Sequence, residues 1–420
     1  MRRKKLIALL MTMIMCMSNL IMVLSLVACG GKDEGEGSND VSPTAAATPE
    51  ADKNEPLEEG QTGKEYDDGV FIMTKKNVKL LGRTWLNNDI RWLSFSAAGV
   101  EFEFTGKSCE FTLRADSLVN DTNHQARFAI YVDGERVVTD VMDIGIKKVS
   151  AISTTETETH VIKLVKISES SDSSMGIQNI TCDAEATIKP TAEKDLKIEF
   201  VGDSITCGYG VDGVLGDTYS THNEDATKAY AYRTAELLNA DYSLVSFSGY
   251  GIVSGYTGGE KNEKQTLPQY YDKVGNSYGT AGGKFPKDID WDFSYTPDIV
   301  VINLGTNDNS YTGGDSAKCE EYVQAYYSFL ETVREKNPDA IIVCALGLMG
   351  QELYPSIEET VYRFTEDKGD TKIYSVKLDV QAYENGYAVD YHPTSASHEH
   401  GAKQMSEALK EILAGTYSAK

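Results

Sequence analysis

Five short apolar runs, separated by stretches of helical character, constrain the fold of this chain more than any other feature. The runs are Ile198–Val201, Leu244–Phe247, Ile299–Leu304, Ile341–Leu346 and Ile373–Leu378. The helical stretches are Glu224–Asn239, Cys319–Lys336, Ile357–Asp367 and His400–Leu413. Strands that are apolar almost throughout must be covered on both faces. Alternation with helices therefore predicts a five-stranded parallel sheet inside an α/β/α domain over residues 194–420. Ligands of such sheets sit beyond the carboxyl ends of the strands, so chemistry is to be sought just after each run.

Residues 70–190 have a different texture. Val100-Glu101-Phe102-Glu103-Phe104 alternates apolar and acidic side chains, and Phe128–Val132 runs into the tight-turn pair Asp133-Gly134 before Val137-Val138. His160–Val165 is a further strand candidate. Short alternating strands with polar turns and no long helical period predict an all-β sandwich.

The strand ends carry a consistent set of side chains. The first run leads into Gly202-Asp203-Ser204-Ile205-Thr206-Cys207-Gly208-Tyr209-Gly210, and the second into Ser248-Gly249-Tyr250-Gly251. The third leads into Gly305-Thr306-Asn307-Asp308, and Asp390-Tyr391-His392-Pro393 follows the last. A serine hydroxyl needs a base within hydrogen-bond reach to act as a nucleophile, and histidine is the usual one. Ser204 and His392 are that pair. A tetrahedral oxyanion needs preorganised donors, which Ser204 N–H, Gly249 N–H and Asn307 Nδ2 supply. Each fragment alone is as readily a strand-end turn; their joint occurrence in order at predicted strand ends is what points to catalysis. The G-x-S-x-G elbow of α/β-hydrolases is absent around Ser204.

These strings resemble the SGNH (GDSL) hydrolase superfamily. The fuller IEFVGDSITCGYG, with Gly82-Arg83-Thr84, Gly99–Phe104, Tyr131–Gly134 and His160 with Leu164–Lys166 upstream, resembles carbohydrate esterase family 2. The resemblance spans about residues 80–413 and implies a jelly-roll sandwich fused to an SGNH hydrolase domain. It also implies removal of acetyl groups from plant polysaccharides or their oligomers, with no metal or organic cofactor. Carried over by position, Ser204 is nucleophile, His392 base, and Gly249 and Asn307 oxyanion donors. The superfamily's triad aspartate usually stands three residues before the histidine, where this chain has Val389. Asp390 stands two before. Some members of the similar family share this spacing and orient the imidazole with a main-chain carbonyl, so a Ser-His dyad is expected, with Asp390 kept as a candidate orienter.

Other residues are weighed against plainer roles. Asp203 reads as a brace for the nucleophile loop, and Trp291 as packing. Tyr250, beside an oxyanion donor, is the first choice for a sugar-ring contact, against the plain reading of a tyrosine suited to a half-buried strand end. His398-Glu399-His400 is a thin metal signal, better read as a polar helix start.

At the amino end, Arg2-Arg3-Lys4-Lys5, an apolar core and Leu26-Val27-Ala28-Cys29 describe a secretory signal over residues 1–28. The terminal Leu-x-Ala-Cys resembles a bacterial lipobox with Cys29 as the lipidated residue, and an uncleaved membrane anchor is the plainer reading. Residues 29–68, with 12 acids and three lysines, read as a disordered acidic tether. Either way the folded part lies outside the cytoplasm, on the outer face of a bacterial membrane. The chain's formal charge of −24 disfavours nucleic acid as a partner and leaves neutral glycans open. Five cysteines remain after Cys16 and Cys29, scattered without metal spacing; Cys109 and Cys182 are possible disulfide partners, and Cys344 reads as buried. Two rival functions stand beside acetyl ester hydrolysis. One is another SGNH esterase or lipase activity; the other is a surface glycan-binding lipoprotein with a vestigial site.

Overall fold

The structure, a computed structural model, describes residues 57–418. The signal, Cys29 and most of the tether lie outside the described residues. The last part of the tether does not: Glu58 pairs with Arg91, and Asp89 accepts bonds from Thr62 N–H at 2.7 Å and Tyr66 Oη at 2.9 Å. Residues 57–68 are thus tied to the folded domain, contrary to the expected boundary at 68.

Ten strands between Val70 and Pro190 join in one antiparallel hydrogen-bonded sheet. Its spine is a pair of long strands, Gly99–Ala115 and Ile146–Lys166, registered from Gly99↔Val165 to Arg114↔Ile146. Val100, Phe102 and Phe104 are fully buried while Glu101 and Glu103 stay in partial contact with solvent, so the alternation read from sequence is a true strand period. The hairpin Arg127–Val132 to Glu135–Val141 turns at Asp133 and Gly134, both at positive φ (51° and 85°), as a two-residue hairpin turn requires. His160–Val165 is only the tail of a 21-residue strand. Its exposed Ser153–Thr159 stretch has no apolar residue to mark a period. Cys109 and Cys182 face each other across neighbouring strands, both buried and both free thiols.

The second sheet has five parallel strands: Lys197–Gly202, Asp241–Ser246, Ile299–Asn303, Ile341–Leu348 and Ile373–Val380. In space the order is second, first, third, fourth, fifth. Gly202 is registered with Ser246 on one side and Asn303 on the other, so three strands end level. That level edge is why residues far apart in sequence meet there. Helices Ser316–Lys336, Tyr354–Lys368 and Ser395–Leu413 begin three to five residues earlier than the sequence pattern placed them. The expected Glu224–Asn239 helix is broken into a 3₁₀ turn, Ala226–Lys228, capped by Asp225, and a helix over Tyr230–Leu237.

The two sheets belong to one compact unit and share a core. Phe95 of the first packs on Phe247 of the second with centroids 5.3 Å apart. Arg83, fully buried, crosses the junction. It donates to Glu199 Oε1 at 3.0 Å and Oε2 at 3.3 Å, and to the carbonyls of Tyr271 and Lys273. The rings of Phe95, Tyr271, Trp291 and Phe293 surround its guanidinium. Trp291 is therefore packing, as expected.

Candidate active site

Ser204 opens a single helical turn, Ser204–Cys207, directly after the first parallel strand. Asp203 caps it by accepting from Ile205 N–H at 3.0 Å, and Gly208 ends it in the left-handed conformation. A side chain at Gly202 would fall within 2.1 Å of Thr206 Oγ1, so only glycine lets the strand enter this turn. Asp203 also accepts from Asn307 Nδ2 at 3.3 Å. Burial, helped by the charge of Asp308, pushes its carboxyl up to about 7. It touches both the nucleophile turn and an oxyanion donor, which is the bracing role expected of it.

His392 Nε2 lies 2.8 Å from Ser204 Oγ. The imidazole is buried, and desolvation lowers its pKa to about 4 despite two nearby carbonyls and Asp390. It is thus neutral near pH 7, the state a general base requires. Its other nitrogen, Nδ1, faces the main-chain oxygen of Val389 at 3.1 Å. Donation from Nδ1 to that carbonyl leaves Nε2 free to accept the serine proton.

Asp390 is not the orienter. Asp390 and Tyr391 both adopt left-handed φ, 49° and 63°. This turn aims the Val389 carbonyl at the imidazole, while the Asp390 carboxylate accepts from Tyr209 Oη at 2.9 Å instead. The structure thus arranges Ser204 and His392 as a dyad, with the Asp390 carboxylate turned to Tyr209.

Gly249 has φ +81° and open space where a Cβ would stand, so backbone sign rather than crowding selects glycine. Among the described residues no carbonyl accepts the N–H of Ser204 or Gly249. Asn307 Nδ2 donates to Tyr250 O at 2.8 Å, which fixes the amide between the second and third strand ends. Asp308 accepts the N–H groups of Ile252, Val253 and Ser254 at 2.7–3.0 Å, tying down the loop that continues from Gly249. The structure thus sets His392 against Ser204 and Asn307 against the Asp203 cap, with Gly249 just beyond the end of the neighbouring strand.

Tyr250 does not serve as a sugar platform. It is 7% exposed, its ring packs on Phe247 and Tyr270, and its hydroxyl accepts from Asn276 Nδ2 at 2.7 Å. Tyr391, the residue before His392 in sequence, is 40% exposed and edge-on to Tyr387, which in turn meets Tyr383. The residues of His398-Glu399-His400 diverge. His398 is buried and accepts from Tyr230 N–H, Glu399 pairs with Lys403, and His400 meets Asp379. Sequence reasoning passed over Tyr209 as a support for the base: it lies against His392 with centroids 4.4 Å apart and stacks on Tyr219 at 4.0 Å. Its place in Gly208-Tyr209-Gly210, right after the nucleophile turn, was the available signal.

Residues 200–400 match the GDSL-like Lipase/Acylhydrolase family, and residues 80–191 match the Carbohydrate esterase 2 N-terminal family. The two matches fall on the two sheets, the second on the antiparallel one and the first on the parallel one. Across both sheets the chain is similar to carbohydrate esterases of family 2. Cellulase/esterase CelE of Acetivibrio thermocellus is 30% identical over 326 residues; the match covers 76% of this chain but only 37% of CelE. An acetylxylan esterase / glucomannan deacetylase of Cellvibrio japonicus is 23% identical, covering 80% of this chain and 89% of that one. The structure of an acetyl xylan esterase from the rumen bacterium Butyrivibrio proteoclasticus superposes with a TM-score of 0.75 at 26% identity, over 84% of this chain and all of that one. The level strand edge that carries Ser204 and Asn307 falls within the stretch that matches the GDSL-like family.

Proposed function

We propose that this protein removes acetyl groups from O-acetylated plant polysaccharides or oligosaccharides, such as xylan and glucomannan, through an acyl-enzyme on Ser204. The observation that carries this reading is the 2.8 Å contact between a neutral, buried His392 and the Ser204 hydroxyl. Ser204 Oγ attacks the acetyl carbonyl as His392 Nε2 takes its proton. The oxyanion rests against the N–H groups of Ser204 and Gly249 and the amide of Asn307. His392 then protonates the departing sugar oxygen, leaving acetyl on Ser204. Water repeats the sequence, and acetate leaves.

The substrate class is supported by the relatives' names and by the row Tyr391, Tyr387 and Tyr383, whose faces suit sugar rings. The acidic surface suits a neutral glycan better than a phosphorylated one. The antiparallel domain is read as a jelly-roll sandwich. The leader is read as a lipoprotein signal that leaves Cys29 lipidated, with the acidic tether holding the enzyme on the outer face of a bacterial membrane. Acetate release measured across acetylated xylan, glucomannan and cello-oligosaccharides tests the reading, together with nitrophenyl esters of increasing chain length. Release of acetate and a preference for acetyl over longer acyl groups is expected. Faster turnover of long acyl chains overturns it in favour of a lipase, and binding without turnover in favour of a glycan receptor.

A further inference from the structure

The loop after the long strand Ile146–Lys166 leaves the antiparallel domain and enters the hydrolase domain. Its sequence, Ile167-Ser168-Glu169-Ser170-Ser171-Asp172-Ser173-Ser174, is almost entirely polar, yet every residue except Ser171 is buried. Burial of polar groups costs free energy unless they are bonded, and most of those in this loop have specific partners. Lys166, fully buried, donates to the carbonyls of Ser168 and Glu169, both at 2.7 Å. The N–H of Glu169 donates to Glu224 Oε2 of the hydrolase domain at 2.9 Å. The backbone of Glu169 is thus clamped on both sides of its Cα.

Its side chain reaches further. Glu169 Oε2 accepts the main-chain N–H of Ser248 at 2.8 Å and the Ser171 hydroxyl at 3.0 Å. Ser248 immediately precedes Gly249. On the other side, the Gly249 carbonyl accepts from Tyr256 N–H at 2.7 Å. The peptide carrying the Gly249 N–H is therefore flanked by one peptide that Glu169 anchors and another that Tyr256 anchors. Asp308 secures the next stretch from within the hydrolase domain, and nothing else described from the antiparallel domain reaches the Ser248 N–H.

We infer that Glu169 is a positioning residue for the oxyanion site, by which the antiparallel domain sets the direction of the Gly249 N–H. It touches neither substrate nor the reacting atoms; it acts through Ser248. The inference rests on the esterase reading, and its test separates the two. A fluorophosphonate probe phosphonylates the Ser204 oxygen with loss of fluoride and places its P=O oxygen among the oxyanion donors, without any acetyl substrate. The full chain, Glu169→Ala and Glu169→Gln are compared for labelling rate, for kcat and KM on nitrophenyl acetate, and for thermal midpoint. Glu169→Ala is expected to lower labelling and kcat by ~10²-fold, the usual cost of a small misplacement, with KM within about threefold of the parent. Glu169→Gln keeps an amide oxygen to accept the Ser248 N–H and is expected to recover most of both rates. Failure of the parent to be labelled at all refutes the serine-hydrolase reading itself. A labelled parent with Glu169→Ala labelled equally fast overturns the inference alone, as does an equal loss in both variants that follows the thermal midpoint.

Discussion

The two sheets divide the work unequally. The parallel sheet carries all the proposed reacting groups, because its strands end level and release Ser204, Gly249 and Asn307 at one edge. The antiparallel sheet contributes no reacting atom, yet it sends Arg83 into the core beneath that edge and Glu169 up to it. The first region makes the chemistry, and the second makes its geometry. The contrast is also energetic. Ser204 and His392 meet through one hydrogen bond between neutral groups, while the junction is held by desolvated charges, which are costly to leave unpaired.

The sharpest break in that division comes from Ser204→Ala. If the parallel sheet alone holds the reacting atoms, this variant loses ~10⁴-fold or more in ester turnover while its unfolding midpoint is unchanged. Residual turnover within tenfold of the parent would mean that the chemistry lies elsewhere. Arg83→Ala tests the other side. It leaves the buried Glu199 carboxylate with only the Tyr271 and Ser243 hydroxyls as donors among the described residues, and removal of one partner of a buried pair costs about 3–5 kcal/mol of stability. Denaturant titration should show that loss, and pairing the change with Glu199→Gln should restore part of it. Activity per folded molecule should stay close to the parent, since Arg83 touches nothing in the cleft. A stable Arg83→Ala would mean that the ring cluster around it, rather than the charge pair, joins the domains.

Asn307→Ala lies between these two. Loss of one oxyanion donor costs ~10²–10³ in turnover. Because the same amide donates to the Tyr250 carbonyl, a small fall in thermal midpoint should accompany it. A turnover loss below about threefold would remove Asn307 from the oxyanion site and leave it as a strand-end tie.

How far the sequence disclosed all this follows the same line between the regions. Apolar runs report strands buried on both faces, so the parallel sheet and its strand-end motifs were readable in order, and with them the nucleophile, base and both donors. The short turn at Ser204–Cys207 and the helix Thr306–Thr312 were not, because neither is long enough to show a period. In the antiparallel region, alternation revealed Val100–Phe104 but not the Thr-rich half of the long strand, whose side chains all face water. Glu169 carried no signal at all. It acts on Ser248 from 79 residues away, across a junction whose register only the folded chain defines. Tyr250 misled for a related reason: position beside a donor said nothing of which way the ring turns, and it turns into the core.

The smallest expected effect decides how the base is held, and it separates this site from a full triad. With Nδ1 of His392 facing the Val389 carbonyl and Asp390 bonded to Tyr209, Asp390→Asn removes a charge near the imidazole without removing its partner. Turnover should stay within tenfold, against ~10⁴ for loss of a true triad carboxylate. The pH profile gives a signed check. The base must be unprotonated, so activity is retained down to the folded pKa of about 4 and lost as pH falls through it. Asp390 is one of the influences that raise this pKa, against the larger effect of burial. Its neutralisation should therefore move the acid limb to slightly lower pH. A limb that moves upward, or a loss of several thousandfold at the plateau, would make Asp390 a third catalytic member and the Val389 contact incidental. Asparagine also tolerates the left-handed conformation at this position, so the turn that aims the carbonyl survives the change and the comparison stays clean.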